Sequence, residues 1–163
     1  MKRILLLLLI LMAGCHVFRN NKATVPTANA VAANEIVEIA QKYMGSPYKY
    51  AGNTPKGFDC SGYVHFVFKE AGYAVPRVSR DFAAIGTEVP LEKCTKGDIV
   101  LFMDTDPAKN RIGHVGIIIS EQGKKPIKFI HASSSKRNNG VVISNYSESK
   151  HYQKRFAKIV RYL

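Results

Sequence analysis

Apolar residues change their spacing partway along the chain, from a helical pattern to a strand-like one. They recur every three or four positions from Ile36 to Met44 and again from Cys60 to Ala71, which predicts two helices. Asn34 is expected to cap the first helix and Asp59 the second, because Asn and Asp side chains accept hydrogen bonds from the free N–H groups of a first turn. The N-terminal part of the domain is therefore predicted to be helical.

The C-terminal part carries short runs of β-branched and aromatic residues, separated by Gly, Pro, Asn and Ser. Such runs predict strands joined by turns. The predicted strands are 98–103, 113–120, 127–131, 141–144 and 156–161. Because the helices come first and the strands follow, the expected fold is α+β, with helices packed on an antiparallel sheet rather than alternating with parallel strands.

The N-terminus has the pattern of an export signal. Two basic residues precede an unbroken apolar run over residues 4–12, and the small residues Ala13 and Gly14 follow it. This run of nine falls far short of the roughly 20 apolar residues that a membrane-spanning helix needs. Residues 1–14 are therefore predicted to be a secretory signal.

The residues that lead to Cys15 resemble the lipobox of bacterial lipoproteins, in which this cysteine becomes the lipidated first residue. Ala13 and Gly14 occupy the usual small positions, whereas Met12 stands where Leu is more common. The alternative is ordinary cleavage, which leaves Cys15 as a free thiol. His16 stands in place of the Asp that retains some lipoproteins at the inner membrane. The expected location is the outer membrane, facing the periplasm.

The mature chain is expected to consist of a tether and one domain. Residues 15–33 are polar or small and lack helical or alternating periodicity, which is typical of a linker. The rest of the chain, 34–163, forms the predicted catalytic domain. A hydrophobic fraction of 46% is enough for a packed core and argues against a disordered chain.

The charge balance favours an anionic partner. The chain carries 24 Lys and Arg residues against 12 Asp and Glu, a formal charge of +12, of which +10 remains once Lys2 and Arg3 leave with the signal. Export makes nucleic acid an unexpected partner. Three cysteines, one of them at the signal boundary, are too few for a disulfide scaffold. We expect a monomer stabilised by its core.

Cys60 lies where the second helix is predicted to begin, in the segment FDCSGYV. The positive end of the helix dipole and the free N–H groups favour a thiolate at such a position. One cysteine of this kind followed by separate histidines is typical of a cysteine peptidase or acyltransferase, in which an imidazole accepts and returns the thiol proton. The alternative is a buried, inert cysteine.

Two histidines lie on neighbouring predicted strands. His114 begins an apolar strand between Gly113 and Gly116, and glycine leaves room for a substrate or another backbone to approach. His131 ends the next strand. Adjacent antiparallel strands can place both side chains on one face, with His114 beside the thiol and His131 behind it as an orienting residue.

A zinc site is the alternative use of these side chains. Cys60, Cys94, His114 and His131 could supply four ligands, but their spacing contains no CxxC or HxxxH element. We therefore expect neither a metal nor a cofactor.

Four segments of the chain resemble the NlpC-type papain-like cell-wall peptidases, in the family's order and with its spacing. The resemblance covers about residues 35–163 and implies a papain-like α+β fold. It also implies that Cys60 is the nucleophile, His114 the base and His131 the residue that orients the base. The four segments are 58–64 (FDCSGYV), 97–102 (GDIVLF), 113–116 (GHVG) and 130–133 (IHAS).

The resemblance further implies residues that contact the substrate. Tyr48 matches a tyrosine that lines such active sites, and Asp59 and Ser61 flank the nucleophile where family members contact the stem peptide. Arg77 and Ser79 match a loop that borders the cleft, for which a solvated loop is the alternative.

The expected function is hydrolysis of D,L peptide bonds in peptidoglycan stem peptides or cross-links through a thiol acyl-enzyme. An amidase or acyltransferase that uses the same Cys–His pair, and a non-catalytic wall-binding lipoprotein, are the alternatives. The short tether leaves no length for the accessory domain with which family members that trim free stem peptides narrow their cleft. Polymeric wall is therefore the expected substrate, with the bond inside a stem slightly favoured over the cross-link.

Overall fold

The structure is a computed structural model that describes residues 27–163. The predicted signal over 1–14, the lipidation site Cys15 and the first part of the predicted tether lie outside the described residues. The helices are α1 Ala28–Lys42, α2 Cys60–Glu70 and α3 Lys150–Arg155. The strands are β1 Asn53–Thr54, β2 Gly57–Phe58, β3 Thr87–Val89, β4 Ile99–Met103, β5 Ile112–Ile118, β6 Lys128–Ser135, β7 Asn138–Asn145 and β8 Phe156–Arg161.

The first helix begins earlier than its apolar period predicts. α1 starts at Ala28, and the hydroxyl of Thr27 accepts a hydrogen bond from the Ala30 N–H at 3.3 Å, so the predicted cap at Asn34 is wrong. The segment before Asn34 is rich in alanine, which has the highest helix propensity but gives only a weak apolar stripe. Residues 28–33 of the predicted tether are therefore helical, and Ala33 is buried.

The second helix begins where the sequence predicts. Cys60 is its first residue, and the Asp59 carboxylate accepts a hydrogen bond from the Gly62 N–H at 2.6 Å, which confirms Asp59 as the cap. Tyr63 is fully buried, and its hydroxyl donates to the Ala40 carbonyl of α1 at 2.7 Å. This bond ties the two helices together behind the thiol.

Six strands form one antiparallel sheet in the order β3-β8-β4-β5-β6-β7, and β1 pairs with β2 in a small hairpin. Each neighbouring pair in the large sheet is antiparallel, which confirms the predicted α+β class. The five predicted strands correspond to β4 to β8. The short strand β3 and the polar helix α3 were not predicted.

The sheet is covered on both faces. One face packs against α1 and α2 through a core that includes Ile36, Val64 and Leu101. The other face carries a second core, in which Phe102 and Phe129 pack beside Tyr152 of α3. Among residues 27–163, no helix has the length and apolar character needed to cross a membrane.

The segment after α1 is bound to the outer strand of the sheet. The Gly45 N–H donates to the Val141 carbonyl at 2.9 Å, and the Val141 N–H donates to the Ser46 carbonyl at 2.8 Å. Pro47 continues this pairing opposite Gly140. These contacts with β7 fix the position of the loop that carries Tyr48.

Candidate active site

Cys60 is the first residue of α2, and its thiol lies against the start of β5. Its Sγ lies 3.6 Å from the Ser79 Oγ and 3.9 Å from the Gly113 carbonyl oxygen, one residue before His114. A Cβ at Gly62 would lie 2.1 Å from the Gly52 carbonyl oxygen, so only glycine lets the helix start pack against that loop. The thiol is half-buried at the edge of the core.

His114 and His131 lie on one face of the sheet and are hydrogen-bonded to each other. The His114 Nε2 and the His131 Nδ1 are 2.9 Å apart, and the rings meet edge to face. A Cβ at Gly116 would lie 3.2 Å from the Cβ of His131 and 2.8 Å from the ring of Phe129. The missing side chain at Gly116 therefore makes room for the His131 ring beside β5.

Two hydroxyl groups that sequence reasoning missed contact the far side of His131. The Ser144 Oγ lies 2.9 Å from the His131 Nε2, and the Tyr152 hydroxyl lies 3.4 Å from the same nitrogen. The Tyr152 ring also stacks on His114, with centroids 6.2 Å apart. The structure thus extends the predicted histidine pair to a chain of hydrogen-bonding groups that ends in β7 and α3.

The pKa values of these groups favour neutral forms. Burial raises the pKa of the Cys60 thiol, and the hydrogen bond with Ser79 opposes this only in part. Burial lowers the pKa of His131 to about 3, and burial together with the neighbouring His131 and Arg155 holds the pKa of His114 well below its usual value. Burial therefore opposes the thiolate that the helix N-terminus was expected to favour, and the directions of these shifts favour a neutral thiol and a neutral imidazole at pH 7.

Two adjoining cavities meet at Cys60. The first, which we call the front chamber, has a volume of about 580 Å³ and extends from Tyr48 and Tyr50 to Arg111. The second, the histidine chamber, has a volume of about 280 Å³ and contains His114 and Arg155. The chambers share Tyr48, Cys60, Asp104 and Gly113.

The predicted substrate-binding residues all line the front chamber, but several of them bind one another. Arg77 donates to both carboxylate oxygens of Asp59, at 3.0 and 2.8 Å, and to the Ser61 hydroxyl at 3.0 Å. Ser79 contacts the thiol itself, and Tyr48 lies where the two chambers join. Asp59, Ser61 and Arg77 thus form a network in the chamber wall.

Cys94, His65 and His151 each have partners other than the Cys60 thiol and the His114–His131 pair. Cys94 is 3% exposed and lies in the second core, together with Phe102 and Phe129. His65 bonds through its Nδ1 to the Val75 carbonyl at 2.9 Å. The His151 Nε2 accepts a hydrogen bond from the Arg155 guanidinium at 2.7 Å.

A cysteine at the N-terminus of a helix, beside a histidine pair on an antiparallel sheet, is the architecture of a papain-like cysteine peptidase. The chain belongs to the NlpC/P60 family, whose model matches residues 45–161. The family and fold that the sequence motifs indicated are thereby confirmed.

Named relatives of the chain act in the same chemical class. A protein of Escherichia coli (strain K12) named "Probable endopeptidase NlpC" is 34% identical over 160 residues, which covers 94% of each chain. The "Gamma-D-glutamyl-L-lysine dipeptidyl-peptidase" of Bacillus subtilis (strain 168) is 34% identical over 106 residues, 65% of this chain and 36% of that enzyme.

A solved structure from Staphylococcus aureus, described as similar to a lipoprotein of the NLP/P60 family, superposes with a TM-score of 0.70 at 28% identity. The match covers 86% of this chain and 44% of that one. The chain therefore spans less than half the length of the Bacillus and Staphylococcus proteins and nearly the full length of the E. coli protein.

Proposed function

We propose that this protein is an envelope cysteine endopeptidase that hydrolyses D,L peptide bonds in peptidoglycan. The observation that carries the proposal is the position of the Cys60 thiol. It lies at the junction of two cavities and contacts Gly113, the residue directly before His114, which is hydrogen-bonded to His131. Fold, family and relatives named as endopeptidases support the same reaction class.

In the first step, His114 is the general base. Its Nε2 is engaged with His131, which leaves Nδ1 to accept the thiol proton while Sγ attacks the substrate carbonyl carbon. The Gly62 and Tyr63 N–H groups bond to Asp59, and the Ser61 N–H bonds to the Cys60 sulfur. This leaves the Cys60 N–H at the helix N-terminus as the donor for the developing oxyanion. A thiol with a raised pKa requires this proton transfer to accompany the attack.

His114 then returns the proton to the leaving amine, and the acyl group remains on Sγ as a thioester. In the second step a water molecule, deprotonated by His114, attacks the thioester carbonyl. Sγ leaves and regains its proton, and the acyl product departs with a free carboxyl group. The enzyme is restored, and one water has been consumed for each peptide bond.

The hydrogen-bond chain behind His114 selects the tautomer that this mechanism needs. His114 can accept a proton at Nδ1 only if its Nε2 carries one, which it then donates to the His131 Nδ1. His131 in turn carries its proton on Nε2 and donates it to the Ser144 hydroxyl oxygen or to that of Tyr152. His131 is thus a positioning residue rather than a second base.

A non-catalytic wall-binding protein is the rival of another class. The rival needs neither a thiol that opens to a cavity nor a histidine chain that fixes one tautomer of His114.

An amidase could use the same thiol and imidazole, so the reaction products must identify which bond is cleaved. Of the two candidate peptide bonds, the one between D-Glu and the third-position diamino acid is slightly preferred over the D-Ala cross-link.

Digestion of purified sacculi tests the proposal. Dipeptide-bearing muropeptides identify the bond inside the stem, whereas conversion of dimers to intact monomers identifies the cross-link. Sugar strands stripped of peptide would instead make the protein an amidase. Cys60→Ala is the matched control, and equal product release by both proteins would refute the endopeptidase.

We further propose that Cys15 carries a lipid that anchors the domain at the outer membrane, on the periplasmic side. The lipobox-like segment before Cys15 supports this location. Wild-type protein should partition into detergent, and Cys15→Ser should be soluble or retain its signal. A soluble, processed wild-type protein would refute the anchor.

A further inference from the structure

We infer that Arg155, in the histidine chamber, binds a free carboxylate of the substrate residue that supplies the leaving amine. The inference deepens the proposed function and depends on it. Arg155 ends α3, and its Nε and Nη2 donate to the Met103 carbonyl oxygen at 2.9 and 2.6 Å. This contact fixes the guanidinium against the end of β4.

The charge partners of the half-buried arginines set Arg155 apart. Within residues 27–163, three arginines are half-buried: Arg77, Arg155 and Arg161. Arg77 holds the carboxylate of Asp59 and Arg161 holds that of Asp98, each with two donors. Arg155 has only neutral acceptors in the described part of the chain, namely a carbonyl oxygen and the imidazole of His151.

The guanidinium also has donors to spare. It carries five N–H groups, of which Met103 accepts two and His151 accepts one. One hydrogen therefore remains on each of Nη1 and Nη2, and this pair matches the two oxygens of a carboxylate. Burial lowers the pKa of Arg155, and the nearby Tyr152, Asp104 and Cys60 oppose this shift only in part.

Among the described residues that line the same chamber, Asp104 has the one carboxylate, and its hydrogen bonds are made with groups other than Arg155. Asp104 accepts hydrogen bonds from the Asp106 N–H at 3.1 Å and from the Arg111 Nε at 3.5 Å. These contacts turn it toward its own loop. The histidine chamber therefore combines the positive charge of Arg155 with a carboxylate that is already engaged.

The proposed reaction decides which part of the substrate enters this chamber. His114 protonates the leaving amine and lines the histidine chamber but not the front chamber, so the residue with that amine lies on the side of Arg155. In both candidate bonds this residue is the diamino acid of the stem. A diamino acid with a second, free carboxylate would place an anion beside Arg155, whereas lysine has none to offer.

Two synthetic stem peptides provide the test. Both contain the peptide bond that digestion of sacculi identifies as the one cleaved. One carries diaminopimelate with its free carboxylate, and the other carries the carboxamide of the same residue, which keeps size and shape but loses the charge. Binding is measured by calorimetry with Cys60→Ala, which does not depend on cleavage, and kcat/KM is measured with the intact thiol. The carboxylate peptide should bind and react about ten-fold better or more, as expected for a charged bidentate contact.

Arg155→Gln should reduce this preference to about three-fold or less by weakening only the carboxylate peptide. Arg155→Lys keeps the positive charge but lacks the paired N–H donors of a guanidinium, so it should retain part of the preference for the carboxylate peptide. Lys154→Gln removes an exposed cation from the same helix, outside the histidine chamber, and should leave the preference unchanged. Melting curves establish that each variant is folded.

Equal binding of the two peptides to Cys60→Ala would overturn the carboxylate site, and this result does not require Arg155→Gln to fold. An equal loss of preference in Lys154→Gln and Arg155→Gln would also overturn it, because the effect would then follow net charge. If the wild-type protein cleaves neither peptide nor sacculi, the proposed function is refuted instead. The ratio of the two peptides' affinities for Cys60→Ala still decides the role of Arg155.

Discussion

Arg77 holds both carboxylate oxygens of Asp59, the residue directly before the Cys60 thiol. The same carboxylate accepts the Gly62 N–H, so one side chain joins the front-chamber wall to the start of α2. Asp59 was expected to contact the substrate because it flanks the nucleophile. Its bonds inside the protein indicate that it also sets the position of the thiol.

This relationship predicts a structural cost for the loss of Asp59. Asp59→Ala removes a helix cap and leaves a half-buried guanidinium unpaired, which should lower the free energy of unfolding by about 2–4 kcal/mol. Asp81→Ala is the matched control, because Asp81 is exposed and its ion pair with Arg80 lies in solvent. Denaturant unfolding measures both variants. Similar stabilities would mean that Asp59 acts on the ligand alone.

The two described cysteines should differ in reactivity. Iodoacetamide should label Cys60 before Cys94, because Cys60 opens to the cavities while Cys94 is buried and burial raises its pKa to about 11. The raised pKa of Cys60 also predicts that labelling speeds up between pH 7 and pH 9. Peptide mapping by mass spectrometry identifies the site, with Cys60→Ser as the control. If the labelling rate of Cys60 were the same at pH 7 and pH 9, the thiol would already be ionised at pH 7 despite its burial.

The positioning role of His131 predicts a graded series. His131→Ala leaves the His114 Nε2 without its partner and should lower kcat by about 100-fold or more, whereas His131→Asn still offers an acceptor and should retain more activity. Tyr152→Phe keeps the ring on His114 and leaves Ser144 in place, so it should have a small effect. Turnover of a stem peptide gives kcat for each variant. Equal losses for Ala and Asn at this position would contradict the orienting role.

The buried histidine pair predicts acid sensitivity. The folded-state pKa of His131 lies below the value of about 6.5 for an unfolded histidine, so the unfolded chain binds more protons as the pH falls. The contribution of His131 to the free energy of unfolding is therefore fully present above pH 6.5 and is lost as the pH falls toward 3. His131 alone should account for about 2 kcal/mol between pH 7 and pH 5. Denaturant unfolding of wild type and His131→Asn at both pH values measures it, and an identical pH slope would refute the assignment.

The elements with a clear period could be predicted from the sequence because each buries one face. The cap at Asp59 and the five strands β4 to β8 follow from local pattern alone. β3 could not, because Thr87–Val89 is too short to show alternation, and α3 could not, because its sequence KHYQKR has no apolar stripe. Asn34 was mistaken for a cap because the alanines before it extend the helix without a strong period.

The candidate site divides in the same way. Cys60 and His114 lie in short sequence motifs, so both residues could be located from the sequence. Ser144 and Tyr152 reach His131 only through the register of β6 with β7 and the placement of α3, and no local pattern encodes either. Arg155 was missed for the same reason, since its carbonyl partner Met103 is 52 residues away in sequence.

The binding of residues 45–47 to β7 has a consequence beyond the placement of Tyr48. A sheet with open edges can recruit a strand from another molecule, which leads to aggregation. Here one edge strand is the three-residue β3, and the middle of the other is already paired with a segment that contains Pro47. Proline lacks the N–H that an incoming strand would need. Neither edge of the described sheet therefore offers a long uninterrupted strand to which a second copy of this protein could add its own sheet.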